Sequence, residues 1–163
     1  MTLGKFVFID EESEVEIDLD AVLEMGEDIS GEFSRQAANY AYIATLAAKA
    51  ALLEMEANHQ KDVAFAEAYK SVRKRLSLAG EKFTEAVINA EVESTGEYRD
   101  VVSTQTFYKG QNLLMKALTR AMEMKADMLI SKGAHLRAEL SQTDMHINSA
   151  KEALRKFRET QEE

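Results

Sequence analysis

A chain of 163 residues with 30 % charged and 45 % hydrophobic positions has the composition of one folded domain. It contains no cysteine, which excludes disulfides, thiolate metal sites and cysteine nucleophiles, and suits a reducing cytoplasm. The net charge of −9 argues against nucleic acid only until its distribution is read: residues 1–34 hold eleven acids against Lys5 alone, leaving 19 bases and 18 acids in residues 35–163.

Residues 1–32 read as an acidic N-terminal arm. Phe6-Val7-Phe8-Ile9 favours extended backbone, and Val15, Ile17 and Leu19 alternate with acids as in a half-exposed strand. A helix starting near Leu19 is the alternative. The apolar run at the N-terminus is too short for a signal peptide, and nothing approaches the roughly 18 apolar residues that span a bilayer. Gly26 and Gly31 punctuate the chain, and Ser30 suits an N-cap.

With no proline in the chain, long unbroken helices are permitted. One is expected from about Phe33 to Leu78. Between Ala37 and Ala57 its only charged residues are Lys49, Glu54 and Glu56. A helix so apolar around its circumference needs cover on more than one side. Ala79-Gly80 ends it, and Thr84 caps a short helix carrying Val87, Ile88 and Val92 before Ser94-Thr95-Gly96 breaks the chain again. A second long helix follows from Glu97 to about Ser131, with Gly133 ending or bending it. Ser141 and Asp144 have capping-box-like spacing for a last helix, with Ile147, Ala150, Leu154 and Phe157 on one stripe.

The expected architecture is all-α. Two long helices are joined by a short one, with a helical core over 33–140, a C-terminal helix and tail over 141–163, and a small extended arm in front. An elongated hairpin with broad apolar stripes is better satisfied by neighbouring copies than alone, so a ring-like homo-oligomer is expected; a compact monomeric bundle is the alternative.

Catalytic signatures are missing. His59, His135 and His146 form no His-Glu-x-x-His pair, and Glu56-Ala57-Asn58-His59 lacks the second Glu-x-x-His that a di-iron bundle requires. There is no phosphate loop and no Gly-x-Ser-x-Gly elbow. The chain is therefore expected to be no enzyme and to use neither metal nor cofactor.

The positive signal is basic. Lys70, Arg73, Lys74 and Arg75 close the first long helix with no acid in 70–80, and Lys82 follows. Part of that charge complements the helix C-terminus. In the second long helix, Lys109, Lys116, Arg120, Lys125, Lys132 and Arg137 face only Glu123 and Asp127. Lys109, Lys116 and Arg120 recur at seven and four residues, one helical face. Met124, Met128 and Phe107-Tyr108 read more as core than as base-stacking platforms. A single-strand binder needs charge that tracks a backbone, together with some aromatic faces.

Five segments carry a resemblance. They are Arg35-Gln36-Ala37-Ala38-Asn39-Tyr40, Val72-Arg73-Lys74-Arg75-Leu76, Lys82-Phe83-Thr84-Glu85-Ala86, Ala90-Glu91-Val92, and the run from Asp127 to Glu139. Over 35–140 the chain resembles the UvsY-type recombination mediator proteins of phages. The resemblance implies a small helical protein that forms a ring, here expected to hold six to eight subunits. Such a protein binds single-stranded DNA, weakens the hold of the single-strand-binding protein and helps load a RecA-like recombinase, in the host cytoplasm. It also places DNA-binding roles on Arg73 and Arg75, with Lys74 adding charge between them. The expected DNA-binding set is Lys70, Arg73, Lys74, Arg75, Lys82, Lys109, Lys116 and Arg120.

The long acidic arm and the 141–163 extension depart from the family pattern. C-terminal helices drive assembly in the family, which implies that 111–157 contributes to the subunit interface. The arm could contact the recombinase or the single-strand-binding protein, compete with DNA, or only solubilise the chain. The rival readings are a virion structural or scaffolding protein that only self-assembles, and an enzyme with a helical di-metal site.

Overall fold

The computed structural model describes residues 3–10, 13–80 and 82–159, with side chains described as far as Leu154. Helix α2 (Ile29–Leu78) and helix α4 (Gly96–Glu159) form the antiparallel hairpin, joined through α3 (Glu85–Ser94). At 1.5 Å per residue the two long helices measure about 75 and 95 Å. Gln36 Nε2 donates to the Met122 carbonyl at 2.7 Å and Gln105 Nε2 to Asn58 Oδ1 at 3.0 Å, which sets the register of the pair.

The expected long–short–long order is present, with local corrections at its ends. Asp28, not Ser30, caps α2, its carboxylate accepting from the Gly31 N–H at 3.0 Å. Thr84 caps α3 as its sequence position suggests. Gly80 takes a φ of +70° in the turn after α2, a conformation that costs glycine little.

No separate last helix begins at Ser141. Helix α4 continues from Gly96 to Glu159 without a break at 133 or 140. A helical glycine costs only about 1 kcal/mol relative to alanine. At Gly133 the space a side chain would take is filled by the Phe33 ring, 3.3 Å from the Cβ position. Met115, Met122, Leu129 and Gly133 form the seam buried against α2, and the same spacing continues through Leu136, Leu140, Ile147 and Leu154. There α2 has ended, so the seam is open: Leu140 is 66 % exposed and Leu154 61 %. The fourth member of the expected last stripe, Phe157, lies outside the described side chains.

The N-terminal segment has the expected strand structure, but it is docked on the helices rather than standing off them as an arm. Strands β1 (Lys5–Ile9) and β2 (Glu14–Asp18) make an antiparallel hairpin, Val7 opposite Glu16, followed by the short α1 (Leu19–Leu23). Alternation puts Phe6, Phe8, Val15 and Ile17 on one face. That face lies on Ile43, Leu46 and Ala50 of α2 and Met115 and Leu118 of α4, leaving Phe8 fully buried. The acids of β2 are on the other face or at its edge, so the charge that suggested a solvated arm is compatible with docking.

Met124 and Met128 are not core. Both are more than half exposed, because α4 buries the stripe at 115, 118, 122, 125 and 129 and turns the flanking positions outward. The outer face of α2 is also uncovered, with Tyr42, Leu52 and Met55 each more than half exposed. No helix among the described residues is long and apolar enough to cross a membrane.

Gln36 is buried, and its Oε1 has no partner among the described residues. The Met122 carbonyl it donates to sits inside a helix. Gln36→Met removes a modest hydrogen bond together with a costly orphan acceptor. We expect chemical denaturation to show stability unchanged or raised by about 1 kcal/mol.

Candidate nucleic-acid interface

The end of the hairpin has its own small core. Val72 and Leu76 of α2 pack on Ile88 and Val92 of α3, surrounded by Phe65, Tyr69, Phe83 and Tyr98. The stripe at 72 and 76 fixes the rest of the turn, since neighbours of a buried helical position face away from it. Lys70, Arg73, Lys74 and Arg75 are therefore exposed, as is Lys82 after the turn.

These bases are not equivalent. Arg75 is ion-paired with Glu91 of α3 in a contact two-thirds exposed on the arginine side. Its charge is partly spent on holding α3 in place. Lys70, Lys74 and Lys82 make no ion pair among the described residues. Arg73 lies beside the Tyr69 hydroxyl, which donates to Glu85 Oε2 at 2.5 Å. The Glu85 hydrogen bond holds the Tyr69 pKa above its ordinary value, with burial and the Glu85 charge adding to it and Arg73 opposing. At the tip the exposed bases of α2 thus stand beside Glu91 and Glu85 of α3, which engage Arg75 and Tyr69.

The remaining expected residues are elsewhere. Lys109, Lys116 and Arg120 are exposed on the shaft of α4. Lys116 and Arg120 flank a shallow hollow with Ala47, Thr119 and Glu123. From the Asn58–Gln105 level, Arg73 lies about 22 Å towards the tip and Arg120 about 22 Å the other way. One protomer therefore carries two separated basic groups rather than one patch.

Lys125 belongs to neither. It is 4 % exposed, with Nζ 2.9 Å from Glu32 Oε2 and 3.0 Å from the Val22 carbonyl. It ties α1 and the start of α2 to α4, and is no phosphate ligand. Its position on the 118–122–125–129 stripe was the sequence signal for that role. Among the described residues no group of His, Asp and Glu side chains is placed to hold a metal ion. Compared with known protein families, curated proteins and solved structures, the chain matches none significantly.

Proposed function

We propose that the chain is a single-stranded-DNA-binding recombination mediator, which helps load a RecA-like recombinase onto DNA covered by single-strand-binding protein. It works without chemistry of its own, as a ring of several copies. The observation that carries this reading is the tip: Lys70, Arg73 and Lys74 stand exposed on a helix end whose packing is completed by α3. The resemblance of 35–140 to UvsY-type mediators supports it. Two uncovered apolar surfaces support assembly: the outer face of α2 at Tyr42, Leu52 and Met55, and the open seam of α4 beyond Leu136.

A ring repeats a modest basic tip once per subunit, and linked weak contacts gain strength through effective concentration. A phosphate chain passing from tip to tip would be held without reading bases. If each subunit neutralises two phosphates, the log–log salt slope is about −1.4 per subunit. Replacing Arg73 and Lys74 together by alanine is expected to remove most of that slope and to weaken oligonucleotide binding at least tenfold at low salt, roughly the loss of two phosphate contacts. Circular dichroism and sedimentation of the variant should match the parent. Salt-independent binding, or parent-like affinity in the double variant, overturns the reading.

The exposed apolar faces also favour a second reading, a structural protein that only self-assembles. It is the correct one if a defined oligomer shows no affinity for single-stranded DNA at physiological salt.

A further inference from the structure

The two edges of the N-terminal hairpin differ. The Ile9 N–H donates to Gln111 Oε1 at 2.7 Å, and its carbonyl accepts from Gln111 Nε2 at 2.9 Å. Ile9 therefore turns its backbone away from β2, and strand alternation turns Val7 and Lys5 the same way. The bonds flanking the ladder agree: the Gly4 carbonyl accepts from Leu19 at 3.1 Å, and Asp10 donates to the Ser13 carbonyl at 2.9 Å. No contact among the described residues occupies the outward N–H and C=O of Val7. On the opposite edge the outward backbone belongs to Glu14, Glu16 and Asp18, whose charges guard it against further pairing. On the β1 edge the one charge is Lys5, and its ammonium reaches back across the hairpin to Glu16 at 2.6 Å.

Along this open edge, between β1 and α4, runs a trough of about 670 Å³. Phe6, Val7, Phe107, Gly110 and Leu114 line it, with Gln111 at the Ile9 end. Val7, Phe107 and Leu114 are each more than 40 % exposed. Gly110 is an interior residue of α4, where glycine costs about 1 kcal/mol relative to alanine. A Cβ there would meet nothing within 4 Å, so nothing in the folded chain requires a glycine. Its effect is to leave the trough open.

We propose that this trough takes an extended segment of a partner protein, which adds to β1 as a third strand. With Ile9 taken by Gln111, the outward donor and acceptor groups of Lys5 and Val7, two residues apart, match another extended backbone. The apolar lining calls for apolar side chains at alternate positions of that segment, since alternate residues of a strand face one side. A second copy of β1 fits worse. In each copy α4 flanks this same edge, with Gln111 bonded to Ile9, so β1 of one copy reaches the trough of another only by bringing the two α4 helices together. This inference is independent of the DNA-binding reading.

The test uses the full chain and a labelled peptide of alternating valine and threonine, blocked at both ends, followed by fluorescence anisotropy. Saturable binding is expected. N-methylation of one alternating set of peptide amides should abolish it, and methylation of the other set should not. Hydrogen exchange should slow at the Val7 amide on binding. Gly110→Leu fills the trough and is expected to weaken binding at least about tenfold, or 1.4 kcal/mol, while melting no lower than the parent. Leu114→Glu is a second block, at an exposed position that keeps the fold. Absence of saturable binding, equal binding by both methylated peptides, or full binding by the two folded variants overturns the proposal. So does a change of oligomeric state in Gly110→Leu, which would assign the trough to another copy of this chain.

Discussion

Lys125→Met is expected to cost about 3 kcal/mol of stability, close to the lower bound for breaking a buried ion pair by removing one partner. The lysine is almost inaccessible, and its ammonium serves both Glu32 Oε2 and the Val22 carbonyl. Methionine matches its length and fills the space, so the loss is electrostatic. Glu32 is left partly buried with Arg35 as its remaining cation, at 3.0 Å. That exposed arginine compensates incompletely, which keeps the figure near the bound. Adding Glu32→Met removes the stranded charge, and most of the loss should return in the double variant. Equal melting of Lys125→Met and the parent in urea would show that the pair contributes nothing.

The same pair fixes an acid dependence. The Lys125 hydrogen bond holds the Glu32 pKa below the usual carboxylate range; burial opposes this, and Arg35 adds to it. A carboxyl with a lower pKa in the folded chain binds protons more readily when unfolded. Its contribution is therefore complete above the unfolded value, about 4.3, and is lost as pH falls through the depressed folded value. Stability measured across that window should drop more steeply for the parent than for Lys125→Met.

How much of this could be read in advance varies by element. Absence of proline and the Thr84 and Gly80 signals are local, and they gave the long–short–long helix order. The strands were visible in the apolar run Phe6–Ile9 and in the alternation of Val15 and Ile17 with acids, while Leu19, placed on the same alternation, begins the helix α1 that was the alternative there. The docking of that hairpin was not, because its burial depends on a surface formed by residues 43–50 and 115–118, far away in sequence. The continuity of α4 was hidden by Gly133 and Ser141, which are cap residues only where the helix actually stops. Met124 and Met128 misled for a related reason: α4 is apolar on more than one face, and periodicity alone does not say which face meets α2. Among the candidate site residues, exposure of the tip bases follows from the Val72–Leu76 stripe. Their separation from Lys109, Lys116 and Arg120 needed the register of the pair.

Phe8→Ala should be more damaging than Lys125→Met, at about 4 kcal/mol, since truncating a buried phenylalanine costs about 3–5. Phe8 is fully enclosed where the hairpin meets both long helices. The hairpin is held at other points too, Ile9 by Gln111 and Asp10 by Lys49 at 3.5 Å, and the α1 that follows it is held at Val22 by Lys125. The loss therefore has two possible ceilings. If the hairpin and helices unfold together, the denaturation midpoint falls by the full amount. If the hairpin can undock alone, the midpoint falls only until undocking is complete. Amide exchange at Phe6 and Phe8 then becomes fast while the centre of α4 stays protected. Undocking would uncover Ile43, Leu46, Met115 and Leu118 together, an apolar patch that a hydrophobic dye would report. Either pattern requires a docked hairpin. An unchanged midpoint with fast hairpin exchange already in the parent would mean that the acidic segment is a free arm, and the trough beside β1 would lose its wall.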